Sequence, residues 1–257
     1  MNYRLQKFAN TDLVLARSAA ERDKINRSLT QLESVLRYRL NGIKEIIRFG
    51  SYTRNTILPR KYDIRSDVDL LIVFEGNLTS ETYRRQLINA VSSAYPNSIS
   101  KKDYPAIKLE LNHIMFDLVP ARKEISSWSG DKYYIPNRHN GWQQTIPNDL
   151  NNALSQKNQY VGDNVIRQVI RLCKHWNASA GYPLSSYLME KDIVSLWYFG
   201  HENLYDRFLK TLNSIAGERS DVNTAIRNIK NNQEDFWGNT NKDEQLRWLQ
   251  RLLPGLK

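Results

Sequence analysis

The sequence predicts an α+β fold, with a sheet in its first half and helices throughout its second. Three observations carry this. "VDLLIVF" at 68–74 is a continuous apolar, β-rich run of the kind that becomes a buried central strand. "AIKLEL" and "IMFDLVPA" flank the dipeptide Asn112-His113 and read as two paired strands joined by a tight turn. From about residue 148 onward the apolar residues recur at steps of three and four. The implied organisation is a core with a long N-terminal helix over 1–120 and a helical lobe over 121–257 that completes a cleft, the seam lying within 121–150.

The elements follow in order. Ile25, Leu29, Leu32, Leu36 and Leu40 share one face of a helix that the pattern extends from residue 12 to about 41. Asp12 is placed to cap its start and Asn41-Gly42 to stop it. "KEIIRF" reads as a short strand running into Gly50-Ser51, and residues 79–95 read as a helix. Pro120, lacking a donor, is expected to end the second strand of the pair. Residues 121–150 are polar and loop-like, with Trp128, Tyr133, Tyr134 and Trp142 among them. In "DNVIRQVIRLCKHWNASA", Val165, Val169, Leu172 and Trp176 form an apolar face, with Arg167, Arg171 and Lys174 as a basic stripe opposite. "SSYLMEKDIVSLWYF", "NLYDRFLKTLNSIA", "DVNTAIRNIKNN" and "EQLRWLQRLL" continue the helical spacing.

Composition narrows the function. Of 257 residues 40% are hydrophobic, enough for a sizeable core and against wholesale disorder. There is no apolar run of membrane-spanning length, and the N-terminus lacks the apolar centre of a signal peptide. Cys173 is the single cysteine, which excludes an internal disulfide and fits a reducing cytoplasm. The four histidines have no zinc-site spacing, and His113 and His175 read as structural. A net charge of +10 favours polyanionic partners: nucleotides, nucleic acid or an acidic surface.

The chemistry concentrates in "IIRFGSYTRNTILPRKYDIRSDVDLLIVF". Asp67 and Asp69 stand two apart on a strand, so both carboxylates face one way. Such a pair is destabilising unless a cation neutralises it, and hard divalent cations take carboxylate oxygen while keeping positions for phosphate. A solvated strand end would look the same. Asp117 adds a third acid in an otherwise apolar strand, where it needs a metal or a salt bridge, Arg122 being one candidate partner. Gly50-Ser51 after a strand lets backbone approach a ligand closely, though an ordinary turn has the same composition.

Gly50-Ser51, "SDVDLLIVF" and "FDLVPA", in that order, resemble the nucleotidyltransferase signature of the DNA polymerase β superfamily. "GSYTRNTILPRKYDIRSDVD", "LELNHIMFDLVPA", "YYIPNRHNGWQQTIPNDLN" and "VIRLCKHWNASAGYPLSSYLMEKDI" resemble, more narrowly, the bacterial cGAS/DncV-like nucleotidyltransferases of the SMODS group, relevant to anti-phage signalling. The resemblance implies a polymerase β-like sheet with helices and a C-terminal helical lobe like that of poly(A) polymerase. It also implies two Mg²⁺ or Mn²⁺ ions on Asp67, Asp69 and Asp117, and a triphosphate on Gly50, Ser51, Lys174 and Ser186, with Ser185 as an alternative to Ser186. Tyr187 is a candidate for base stacking. Asn55 stands where many relatives have glycine, and asparagine tolerates the left-handed backbone best after glycine. The insert "LPRKYDIR" is longer than in the shortest relatives, and its basic residues are candidates to cover the nucleotide or meet a partner.

The activity so implied joins nucleoside triphosphates, ATP among them, into a cyclic di- or oligonucleotide and releases pyrophosphate. The alternatives are transfer of a nucleotide to RNA or protein, with nucleic acid held on the basic surface, and a nucleotide sensor without chemistry. A regulatory or effector protein is a further expected partner.

Overall fold

Strand formation centres on the most apolar run. In the computed structural model, which describes residues 1–15, 19–125, 130–233 and 240–257, strand β2 (Asp67–Phe74) lies in the interior of the sheet. It pairs antiparallel with β1 (Ile43–Phe49) and parallel with β5 (Ile114–Glu124). Beyond β5 come β4 (Ala106–Leu111) and β3 (Ile99–Asp103), both antiparallel to their neighbours. The order is β1-β2-β5-β4-β3, and the far end of β5 carries β6 (Lys132–Pro136), which pairs in turn with β7 (Trp142–Thr145).

The two faces of this sheet have different tasks. Val68, Leu70, Ile72 and Phe74 alternate onto one face and are buried; Phe74 stacks on Tyr83 of α4 (Ser80–Ala94), ring centroids 4.4 Å apart. On the other face Asp67 and Asp69 precede Leu71 and Val73 on β2, and Asp117 precedes Val119 and Ala121 on β5. Leu71, Val73, Ala106, Val119 and Ala121 form a core cluster with Ile47, Phe49, Tyr133 and Ile135 against it. One face is thus apolar at one end and acidic at the other.

Chain contacts divide the molecule into two units, one of Ser18–Arg60 and Arg65–Asp149, the other of Met1–Arg17, Lys61–Ile64 and Leu150–Lys257. The first holds the sheet, α4 and α2 (Ala19–Arg39), whose Ile25, Leu29, Leu32 and Leu36 are fully buried. The helix starts later than periodicity predicts. Residues 8–12 make a π-helical turn, and the chain leaves the helix at Leu13–Leu15; residues 16–18 lie outside the described residues. Leu13 and Leu15 are buried in the helical unit, which draws the chain away from the stripe that begins at Ile25. Asp12 therefore caps nothing in α2; its carboxylate accepts from the Thr11 and Tyr62 hydroxyls.

Two further expectations are corrected. Pro120 does not end β5, which runs on to Glu124: β4 pairs as far as Leu118 and β6 takes over at Arg122. Pro120 falls in the break between them, where a strand best tolerates a missing donor. Residues 121–150 are not all loop, since β6 and β7 form an edge hairpin turned by Asn137–Gly141, with Asn137 accepting from the Gly141 and His139 amides. Strands of five and four residues are too short to show a clear alternation. Trp128 lies outside the described residues.

The helical unit contains α1 (Asn2–Lys7), α5 (Asp149–Val161), α6 (Val165–Ser179), α7 (Ser186–Ser195), α8 (Leu204–Ile215), α9 (Ser220–Asn231) and α10 (Lys242–Leu252). Helix α6 is its centre, buried from Val165 to Asn177 apart from Arg167. Of the basic stripe, Arg167 remains partly exposed while Arg171 and Lys174 are buried. Arg171 donates to the Ala9 carbonyl (2.9 Å) and Asn10 Oδ1 (3.1 Å), and burial, with the Arg167 charge second, lowers its guanidinium to about 10. No helix among the described residues is long and apolar enough to cross a membrane.

His175 on α6 is structural, as read. Its Nε2–H donates to the Pro254 carbonyl at 2.8 Å, and its ring meets Phe8 and Tyr62 edge-on. Burial, against the opposing pulls of the Pro254 carbonyl, the Tyr62 backbone and the Asp63 carboxylate, holds its pKa below the ordinary histidine value of 6.5. The unfolded chain then binds the proton first, so this contribution is fully present above the unfolded pKa and is lost as pH falls through the folded one. His175→Gln should flatten the fall of Tm below about pH 6.5, read in thermal melts across pH; an unchanged slope would place the acid sensitivity elsewhere.

Candidate active site

The acidic end of the sheet is set by register. Parallel pairing puts Asp69 directly beside Asp117, with Asp67 beside Met115 one pleat away. All three carboxylates are half-buried, and each offers an oxygen within 4.8 Å of the others. Gathering three anions this closely raises their mutual energy unless positive charge is supplied. Lys108 contributes one such charge, its Nζ 3.9 Å from Asp117 Oδ2. Arg122, the salt-bridge candidate from the sequence, pairs with Glu124 at 3.0 Å instead. Three all-oxygen donors on neighbouring strands suit hard divalent cations such as Mg²⁺ or Mn²⁺ and fit poorly with softer metals.

Lys108 was not among the residues singled out from the sequence, though a signal existed. Counting back from the two-residue turn at Asn112-His113, which pairs Leu111 with Ile114, sets Lys108 opposite Asp117.

Gly50 makes the cluster possible. It opens the short helix α3 (Gly50–Thr53) after β1 with φ +74°, and a Cβ there would stand 1.7 Å from Asp69 Oδ2. Glycine is required twice, for the left-handed backbone and for the space that the carboxylate occupies. The turn closes through the Ser51 carbonyl, which accepts from the Thr56 and Ile57 amides at 3.0 and 3.2 Å. Asn55 lies in the left-handed region with φ +58°, as its identity suggested. Gly50→Ala should displace the Asp69 carboxylate and weaken Mn²⁺ binding by at least about tenfold, with turnover falling on the order of a hundredfold. A Mn²⁺ titration of the purified variant checks this, and wild-type affinity would refute the packing argument.

Asp67, Asp69, Asp117, Gly50 and Ser51 thus belong to one unit and converge on one sheet end. Lys174 and Ser186 belong to the helical unit. Lys174 is buried on α6 with its ammonium 3.2 Å from Glu190 Oε1 on α7, a carboxylate that is 1% exposed. Ser186 is the first residue of α7, preceded by Ser185 at the N-cap and followed by the half-exposed Tyr187. In the insert, where the sequence drew notice to the basic residues, Leu58 and Asp63 are buried and Tyr62 packs edge-on against His175.

Comparison with known proteins agrees with this architecture. The family model of the Second Messenger Oligonucleotide or Dinucleotide Synthetase domain matches residues 2–158. A probable cyclic nucleotide synthase of Bacillus cereus (strain VD146) is 30% identical, the match covering 59% of this chain and 55% of that protein. The chain therefore spans about half the length of that curated relative. Among solved structures, the Bradyrhizobium diazoefficiens CD-NTase CdnG in complex with GTP superposes with TM-score 0.64 at 14% identity, over 98% of this chain and 88% of that one. CdnC of E. coli MS115-1, solved as a CdnC:HORMA-deltaN complex, gives TM-score 0.64 at 15% identity, over 99% and 97%. These structural likenesses establish the fold: a mixed sheet with helices, joined to further helices.

Proposed function

The chain belongs to the Second Messenger Oligonucleotide or Dinucleotide Synthetase family, and on that footing we propose that it is a metal-dependent nucleotidyltransferase joining nucleoside triphosphates into a cyclic di- or oligonucleotide that signals in anti-phage defence. The observation that carries this reading is the convergence of Asp67, Asp69 and Asp117 within 4.8 Å over the space that Gly50 leaves. Asp67, Asp69 and Asp117 would hold two divalent cations, Mg²⁺ or Mn²⁺. Bound there, such ions supply neutralising charge for a triphosphate and acidify an attacking hydroxyl.

The chain's own residues do the rest. Asp117, fixed in register beside Asp69, receives the proton of the attacking ribose hydroxyl while Lys108 steadies its other oxygen. That hydroxyl attacks the α-phosphorus, a new P–O bond forms, and the bond to the pyrophosphate oxygen breaks. Gly50 and Ser51 admit the triphosphate close to the backbone. Lys174 and Ser186 are assigned to donor phosphates by resemblance alone. The contribution throughout is positioning and charge, as in phosphoryl transfer generally. One structural neighbour was solved with GTP and another with a HORMA protein, which supports nucleotide substrates and a regulatory protein partner for this chain.

The test is incubation of purified protein with labelled nucleoside triphosphates and Mg²⁺ or Mn²⁺, followed by phosphatase. A phosphatase-resistant product is expected, and omitting one triphosphate at a time names its bases. Transfer of label into added RNA, in place of a small product, would overturn the proposal in favour of an RNA acceptor, to which a net charge of +10 is equally suited.

A further inference from the structure

The helical unit contains a cavity of about 510 Å³. It is lined from the end of α6, the first turns of α9 and the last turns of α10. Pockets for small organic ligands span about 300 to 1,000 Å³. Every described lining residue falls within Leu150–Lys257, so this unit builds the cavity by itself.

Two indole–guanidinium pairs set its chemistry. Trp176, buried on α6, has the guanidinium of Arg219, the N-cap of α9, 5.9 Å from its ring centroid. Trp248 and Arg251 stand three apart on α10, the guanidinium 3.9 Å over the ring. All four residues line the one cavity. The pairs differ in charge. Arg219 is gripped by Asp221, its Nε and Nη2 donating to the two carboxylate oxygens at 3.2 and 2.8 Å. Asp221 is the one acid among the described lining residues, so it balances Arg219 and leaves the exposed Arg251 uncompensated there. Ser220 and Thr224, one turn apart on α9, add hydroxyls.

An aromatic lining beside an uncompensated guanidinium selects a flat ring that carries an anion. A bare inorganic anion would leave the indoles unused, and an apolar ring would take water from Arg251 and offer it nothing in return. A triphosphate brings several negative charges and needs a cation to balance them. Among the described residues the acid group suited to a metal is Asp67, Asp69 and Asp117, in the other unit. A phosphodiester brings one charge. Nucleobases stack on tryptophan rings and on the arginine plane, and the guanidinium fork matches phosphate oxygens.

We propose that this cavity binds a nucleotide phosphodiester, its base stacked on the Trp248–Arg251 pair and its phosphate oxygens accepting from the Arg251 guanidinium. Trp176 supplies further aromatic wall, and the Ser220 and Thr224 hydroxyls meet the polar edges of base or ribose. The site goes beyond the proposed transfer reaction and does not rest on the acidic cluster. A cyclic mononucleotide and a cyclic dinucleotide share this chemistry, and the experiment separates them.

The experiment is calorimetric titration of the purified chain in chelator, with cyclic AMP, cyclic GMP, cyclic di-AMP and cyclic di-GMP as probes and Tm measured alongside. One molecule of probe per chain should bind and raise Tm, and whether the mononucleotides or the dinucleotides bind more tightly names the source. Adenosine, guanosine and inorganic phosphate, each lacking one half of the ligand, should bind at least about tenfold more weakly than the best probe. Arg251→Ala and Trp248→Ala should weaken that probe by at least about tenfold. Arg251 is exposed, so its variant should keep a Tm close to wild type and remain readable. Arg247→Ala, on the same helix but paired with Glu244, and Asp69→Asn should bind as wild type does. Failure of all four probes, unchanged affinity in Arg251→Ala, an equal loss in Arg247→Ala, or loss of binding in Asp69→Asn would overturn the proposal. No arm requires turnover, so a chain that forms no product would sink the proposed function and leave this site standing.

Discussion

Asp69→Asn should abolish turnover, by about a thousandfold or more, while leaving the metal-free protein at least as stable as wild type. The amide has the shape of the carboxylate and fits the same space over Gly50, so packing is retained. What changes is charge. Three carboxylates within 4.8 Å repel in the absence of cations, and removing one relieves part of that repulsion. Stability and function then move in opposite directions, as expected where a protein holds like charges together for the sake of a ligand. The paired measurement is Tm in chelator beside product formation in Mn²⁺. A lower Tm with retained turnover would mean that Asp69 is a structural acid.

Lys174→Ala should destabilise the fold strongly. The substitution leaves Glu190 with a buried charge and without its lysine partner, for which a loss of about 3–5 kcal/mol is usual. Neutralising both sides, as in Lys174→Met with Glu190→Leu, should recover most of it, since a buried ion pair replaced whole by apolar side chains is often neutral. Urea denaturation of the two variants measures this directly. The refolded double variant also separates two roles for Lys174. If its KM for the triphosphate stays at the wild-type value, the lysine is a packing element. If KM rises sharply, the lysine also serves the donor phosphates, as the resemblance implies.

The parts of the fold that were legible in the sequence are those where local pattern and final burial coincide. "VDLLIVF" became β2, an interior strand of the sheet, because its run is apolar on both faces. The two-residue spacing of Asp67 and Asp69 became a shared face because strand periodicity allows nothing else. Gly50 and Asn55 adopted the positive φ that their identities permit. The illegible parts depend on distant neighbours. The burial of Arg171 and Lys174 was not legible because their partners, Ala9 and Glu190, come from the N-terminal segment and from another helix. The start of α2 was misplaced because Leu13 and Leu15 continue an apolar rhythm while belonging to a different unit. The strands β6 and β7, five and four residues long, are too short to announce themselves. The bond between Asp63 and Tyr182 joins residues 119 positions apart, with no local pattern to reveal it.

Following the two ends of one substrate tests nucleotidyl transfer at the Asp67–Asp69–Asp117 cluster. Purified protein is given ATP labelled at either the α- or the γ-phosphate, with Mn²⁺ and the other triphosphates, beside the Asp69→Asn variant. The expected result is α-label in a phosphatase-resistant product and γ-label in pyrophosphate, both absent from the variant. Release of γ-label as inorganic phosphate with no α-labelled product would contradict it, and would make the same three carboxylates the site of a triphosphatase.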